Sequence, residues 1–154
     1  MKAEFINPFL SSAALVFKQV AGLEVKRGSL GLKSRIEPSY EVVIAFGVVG
    51  DVKGDVAYSM RKETALKIAS TMAMGMPFES LDNEIARSAI GELGNMITGG
   101  AMTELAAKGI QADISPPTIV VGEGLKVYSV VPAIVIPLST DLGEIELSVA
   151  LQET

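Results

Sequence analysis

Glu92 and Asn95 place a carboxylate and a carboxamide three residues apart within the stretch Leu81–Gly109, LDNEIARSAIGELGNMITGGAMTELAAKG. The stretch reads as one long amphipathic helix. On a 3.6-residue period Ala86, Ile90, Leu93, Ile97 and Ala101 share an apolar face, and Ser88, Glu92, Asn95 and Gly99 fall on nearly the opposite face. Gly91, Gly94, Gly99 and Gly100 lie inside the pattern, and each costs about 1 kcal/mol relative to Ala in a helix interior. Two uses would justify that cost. A partner surface can approach the helix backbone, with Glu92 and Asn95 reaching out of it, or the glycines can serve packing inside the chain. A Glu and an Asn at this spacing also occur on ordinary solvated surface.

Two absences narrow the chemistry further. The chain has no His, which excludes a histidine base, a phosphohistidine and an imidazole metal ligand. It has no Cys, which excludes a thiol nucleophile, a disulfide and an iron–sulfur site. Carboxylates, amides, hydroxyls, Lys, Arg and backbone remain. The net charge of -5, without a clustered Lys/Arg run, gives no reason to expect nucleic acid or an anionic membrane as partner. The 154 residues suit a single domain over 1–154, and 49% hydrophobic residues with a mean hydropathy of +0.41 can bury a core and an interface as well. No secretory pattern is visible at residues 1–20. The most apolar run, Val127 to Leu138, is too short to span a membrane and contains Pro132 and Pro137. A cytoplasmic protein is the expectation.

Ser88-x-x-x-Glu92-x-x-Asn95, written SAIGELGN, resembles the signature of the CheC/CheX/FliY phosphatases of bacterial chemotaxis. That signature has an Asp or Ser, a Glu four residues on, an Asn three further, and a Pro well downstream. Pro116 and Pro117 both stand where that Pro is sought, and counting does not choose between them. The segments INPFL (Ile6–Leu10), ETALKIAS (Glu63–Ser70) and GEIELSVAL (Gly143–Leu151) are similar to the CheX branch, so the likeness spans essentially the whole chain.

Hydrophobic periodicity and turn residues predict the remaining elements. Asn7 as cap and Pro8 at the first helical position open a helix with Phe9, Ala13, Phe17 and Val20 on one face, ending near Gly22. Glu4 and Asn7 repeat the Glu-x-x-Asn spacing, and the CheC branch carries two sites. With Asn7 spent on the cap and Glu4 outside the helix, a second site is not expected here. Strands are expected within Leu23–Lys33, at Glu41–Val49 and at Asp55–Met60, with Gly50, Asp51 and Gly54 in a hairpin turn. A second helix is expected over Glu63–Met74, with Gly75 and Pro77 as its stop. The long helix is capped by Ser80 or Asp82. Strands at Thr118–Val121, Val127–Leu138 and Glu144–Leu151 complete the order, with Pro132 and Pro137 marking an edge or an interruption. The pattern is an α/β domain of the α+β type: a mainly antiparallel sheet with helices packed on one face. The resemblance implies the same CheX-like fold and adds a homodimer formed partly through sheet pairing.

The resemblance also implies hydrolysis of the aspartyl phosphate on a phosphorylated CheY-like response regulator. An acyl phosphate is already reactive, and the regulator brings its own Mg²⁺ and acidic pocket. The chain therefore needs no cofactor or metal of its own, only to place a water in line with the scissile P–O bond. Asn95 suits that task because its amide binds water without adding negative charge. Glu92 suits a contact with a cation, which the family assigns to the regulator's conserved Lys; it is a clamp rather than a general base. Ser88, Gly91 and Gly99 are the expected partner-facing positions around this pair. The alternative is a non-catalytic adaptor that binds a phosphorylated regulator or flagellar component through the same helix face.

Overall fold

The computed structural model describes residues 3–127, 129 and 131–154. Among them the order is α1 (Ala3–Ala21), β1 (Lys26–Arg27), β2 (Gly31–Lys33), β3 (Val42–Gly50), β4 (Val52–Met60), α2 (Lys62–Met72), α3 (Glu84–Ala107), β5 (Ala112–Ile114), β6 (Thr118–Val121), β7 (Ala133–Thr140) and β8 (Gly143–Glu153). All strand pairings are antiparallel, in one sheet ordered β1-β7-β8-β4-β3-β5, with β2 also on β7 and β6 also on β3. The architecture is the one expected: a mainly antiparallel sheet with helices on one face. No helix of the described residues is long and apolar enough to cross a membrane.

Alternation along the strands sorts the two faces. Val42, Ile44, Phe46 and Val48 of β3, Tyr58 and Met60 of β4, and Leu147 and Val149 of β8 point to the helices. They join Phe9 and Phe17 of α1, Ile68 of α2, and Ile90, Leu93, Ile97 and Leu105 of α3 in one core. Each large apolar side chain so buried contributes roughly 1.5–3 kcal/mol, so α3 is held firmly by its buried stripe. The other face carries a smaller cluster of Ile36, Val43, Ala57, Ala133 and Ala150, covered by Leu125, Val127 and Val131.

A buried polar chain fixes the rotation of α3 on the sheet. The Thr98 hydroxyl donates to the Gly94 carbonyl at 2.7 Å, so at its 2.7 Å contact with Tyr58 it accepts the phenol proton. Burial pushes the Tyr58 phenol well above its usual range and keeps it a neutral donor. Thr98→Val keeps the shape but leaves a buried phenol unpaired, a cost of about 1–3 kcal/mol. Tyr58→Phe removes the orphan as well as the bond and should cost less. Urea unfolding of both variants checks that order; equal stability of Thr98→Val and the parent would count against it.

Several boundaries differ from expectation. α1 begins at Ala3, with Pro8 inside it, so Asn7 is helical and exposed and is not the cap. Pro8, the sixth residue of α1, forgoes one intrahelical bond. Glu4 and Asn7 therefore share an exposed turn, and the capping argument against a second site there does not hold. α3 is capped by Asn83, not Ser80 or Asp82: its Oδ1 accepts from the Ile85 and Ala86 amides at 2.9 and 3.2 Å. Ser80 instead accepts from Asp82 N one turn earlier. Gly54 lies inside β4, paired with Val48 and Leu151, at φ +150° where a Cβ would strike the Ala150 carbonyl. The Leu23–Lys33 strand is only β1 and β2. Pro137 lies in the interior strand β7, opposite the gap between them, and accepts from Gly28 N at 2.8 Å. The strand expected from Val127 begins at Ala133; Tyr128 and Val130 lie outside the described residues.

Candidate active-site cleft

Beside α3 lies a cleft of about 670 Å³ lined by Arg87, Ser88, Gly91, Glu92 and Asn95 on one wall and Ile114, Ser115, Pro116, Pro117 and Ile119 on the other. Neither Glu4 nor Asn7 lines it. Ser88 and Glu92 are exposed and Asn95 is half-buried, while the core stripe Ala86, Ile90, Leu93, Ile97 and Ala101 is buried. Among the described residues the Ser88, Glu92 and Asn95 side chains have no hydrogen-bond or ion-pair partner, so their polar atoms are available to a docked molecule. Arg87 and Glu92 are the charged side chains of the lining. The Arg87 guanidinium is spent partly on structure: it donates to the carbonyls of Leu81 at 3.4 Å and Ile119 at 3.3 Å, tying the first turns of α3 to β6.

The second wall arises from a break in pairing. β5 and β6 both pair with β3, with Val48 opposite Ile114 and Ala45 opposite Thr118. Two residues of β3, Phe46 and Gly47, thus face three, Ser115, Pro116 and Pro117. The extra residue makes a β-bulge. Two prolines cannot donate to a ladder, which confines them to such a position at a sheet edge. The bulge also shifts parity. Ile114 stands opposite Val48 and Ile119 opposite Ile44, both on the helix-facing side, though 114 and 119 are five residues apart and would point to opposite faces of an unbroken strand.

The glycines of α3 divide by neighbour. A Cβ on Gly91 would lie 3.2 Å from Ile119 Cδ1 and 3.5 Å from Pro117 Cγ. Its missing side chain lets the bulge close onto the helix rather than admitting a partner. Gly94 faces the core, where a Cβ would lie 3.0 Å from the Phe46 ring, and Gly100 faces Ser12 of α1. Gly99 has open space around it and lies outside the cleft lining. Of the expected partner-facing positions, Ser88 is exposed in the cleft, Gly91 is buried beneath its far wall, and Gly99 is not part of it. Pro116 and Pro117 both line the cleft, and Pro117 is the one lying over Gly91. Arg87, Ser115, Ile114 and Ile119 are cleft residues that helical periodicity does not reveal. The Ser-Pro-Pro tripeptide inside a β-rich segment is the signal that marks the bulge.

Residues 42–139 match the family described as chemotaxis phosphatase CheX. The chain is 40% identical over 139 residues to the CheY-P phosphatase CheX of Thermotoga maritima, covering 90% of this chain and 89% of that one. Its structure is similar to chemotaxis protein CheX from Vibrio vulnificus, with a TM-score of 0.84 and 31% identity over 97% of this chain and 100% of that one. It is also similar to a chain of the CheX–CheY–BeF₃–Mg²⁺ complex from Borrelia burgdorferi, with a TM-score of 0.76 and 32% identity over 99% and 100% of the two chains.

Proposed function

The chain belongs to the CheX family of chemotaxis phosphatases, and from that membership we propose that it dephosphorylates the aspartyl phosphate of a CheY-like response regulator, using Asn95 to position water and Glu92 to clamp the regulator. The observation that carries the assignment of residues is the cleft itself: Glu92 and Asn95 line it, without a side-chain partner among the described residues, on a helix packed into the core. In the reaction, the water oxygen bonds to phosphorus as the bond from phosphorus to the aspartyl oxygen breaks. The products are a free carboxylate and inorganic phosphate. Asn95 orients the water by hydrogen bonding and adds no charge against the phosphoryl oxygens. Glu92, one turn away, pairs with a cation of the regulator and sets the register of docking. Mg²⁺ belongs to the phosphorylated regulator as part of the substrate, consistent with the Mg²⁺ named with CheY in the Borrelia complex. The reaction is assigned to the cytoplasm, where such regulators act.

Phosphate release from a phosphorylated CheY-like regulator tests the reading: catalytic amounts of the chain should accelerate release over the regulator's own rate. Tight binding without acceleration would instead establish the adaptor. The chain is also expected to form a homodimer. β5 and β6 pair with β3 alone among the described residues, and Val120 and Val121 of β6 are 41% and 37% exposed. Light scattering at micromolar concentration should report twice the chain mass, and a monomer mass alone would count against it.

A further inference from the structure

We propose that Ser115 is a positioning residue for regulator docking, holding the diproline wall of the cleft at its working distance from α3; the inference rests on the regulator reading of the cleft. The antiparallel register places Gly47 opposite Ser115, next to the Val48–Ile114 pair. Ser115 N donates to the Gly47 carbonyl at 2.9 Å, one half of the reciprocal exchange that an antiparallel pair makes. The other half is replaced. Gly47 N donates not to the Ser115 carbonyl but to its side-chain Oγ at 2.8 Å, and the same hydroxyl donates to the Pro116 carbonyl at 3.1 Å.

One side chain thus does two things. It satisfies the β3 amide that the bulge would strand, and it ties the first proline to the point where the chain leaves the sheet. A hydroxyl can accept from one group and donate to the other through the same atom, as Ser115 Oγ does here. Downstream, Pro117 and Ile119 rest on Gly91, one turn before Asn95 on α3, and Arg87 holds the Ile119 carbonyl. The wall is therefore anchored to the helix at Ile119 and to the sheet at Ser115, and the two prolines between these anchors flank the mouth of the cleft. Pro residues give that wall a fixed backbone shape, with φ locked near about −65°. Loss of the Ser115 hydroxyl loosens that end, leaving only the backbone bond to Gly47. Glu92 and Asn95, both on α3, do not move, but the surface that guides the regulator onto them does.

Ser115→Ala and Ser115→Thr separate this role from simple strand stability. In Ser115→Ala, amide hydrogen exchange at Gly47 should quicken at least tenfold. The dissociation constant for a CheY-like regulator loaded with beryllofluoride and Mg²⁺ should rise about five- to tenfold. Ser115→Thr, which keeps the hydroxyl, should restore both. Parent affinity in Ser115→Ala despite faster exchange at Gly47 overturns the inference, as does unchanged exchange at Gly47 or weakened binding that Ser115→Thr fails to rescue. A parent chain that binds the loaded regulator but releases no phosphate would overturn the phosphatase reading while this inference stands. A parent chain that does not bind the regulator overturns both.

Discussion

Asn95→Ala is expected to lose about two to three orders of magnitude in catalysed phosphate release, the loss typical of removing one positioned hydrogen-bonding group at a reacting centre. The fold should survive. Asn95 is half-buried on the cleft side of α3, away from the stripe that meets the sheet, and its side chain has no bond to another described residue to lose. Alanine is also the better helix former. Circular dichroism and binding to a beryllofluoride-loaded regulator should therefore resemble the parent while turnover collapses. Asn95→Asp is the stricter comparison. It keeps the shape, removes the NH₂ donor and sets an anion before the phosphoryl oxygens, so it should fail as well. Recovery of turnover in Asn95→Asp would mean that the position wants a base. A folded Asn95→Ala chain with parental turnover would remove Asn95 from the mechanism altogether.

The two walls of this cleft were unequally legible in the sequence. α3 is read directly, because its apolar stripe from Ala86 to Ala101 and its polar stripe from Ser88 to Asn95 obey a period that one segment carries alone. The strands of the central hairpin are read nearly as well, since each is rich in strand-forming residues. Their limits are not: Gly54 looks like a turn residue, but its need for φ +150° arises from the approach of Ala150 on the neighbouring strand, a contact one segment does not encode. The same limit hides the far wall. Whether Ile114 and Ile119 face the same way depends on the register of two separate strands against β3, and only that register shows Ser115–Pro117 to be one residue too many. It also decides what the helix glycines do. Seen from α3 alone, Gly91 and Gly94 suit close approach by a partner; with the sheet present, their neighbours are Ile119, Pro117 and Phe46 of the same chain. At the amino terminus a strong local signal, Asn-Pro, loses to packing: Phe5 and Ile6 are buried in the core, and the helix extends back to carry them there.

Charge reversal at Glu92 should have the second large effect, and on binding rather than on chemistry. Glu92 is exposed in the free chain and becomes desolvated only under a docked regulator. Glu92→Ala leaves the opposing cation unpaired, a cost of about 2–5 kcal/mol where the pair is buried by docking and less at a wet rim. Glu92→Lys adds a like-charge contact worth several kcal/mol more, so its KM for the phosphorylated regulator should rise beyond that of Glu92→Ala, by at least about a hundredfold over the parent for roughly 2.7 kcal/mol. At saturating regulator the remaining turnover should still depend on Asn95, because a clamp sets register and does not handle the water. Electrostatics of this kind weaken with ionic strength, so added salt should narrow the gap between Glu92→Lys and the parent. The Arg87 charge on the same wall sharpens the expectation: with Glu92→Lys both charged side chains of the cleft lining become cationic, and a regulator that offers a cation to Glu92 meets two repulsive neighbours instead of one. An unchanged KM in Glu92→Lys would strip Glu92 of its clamping role.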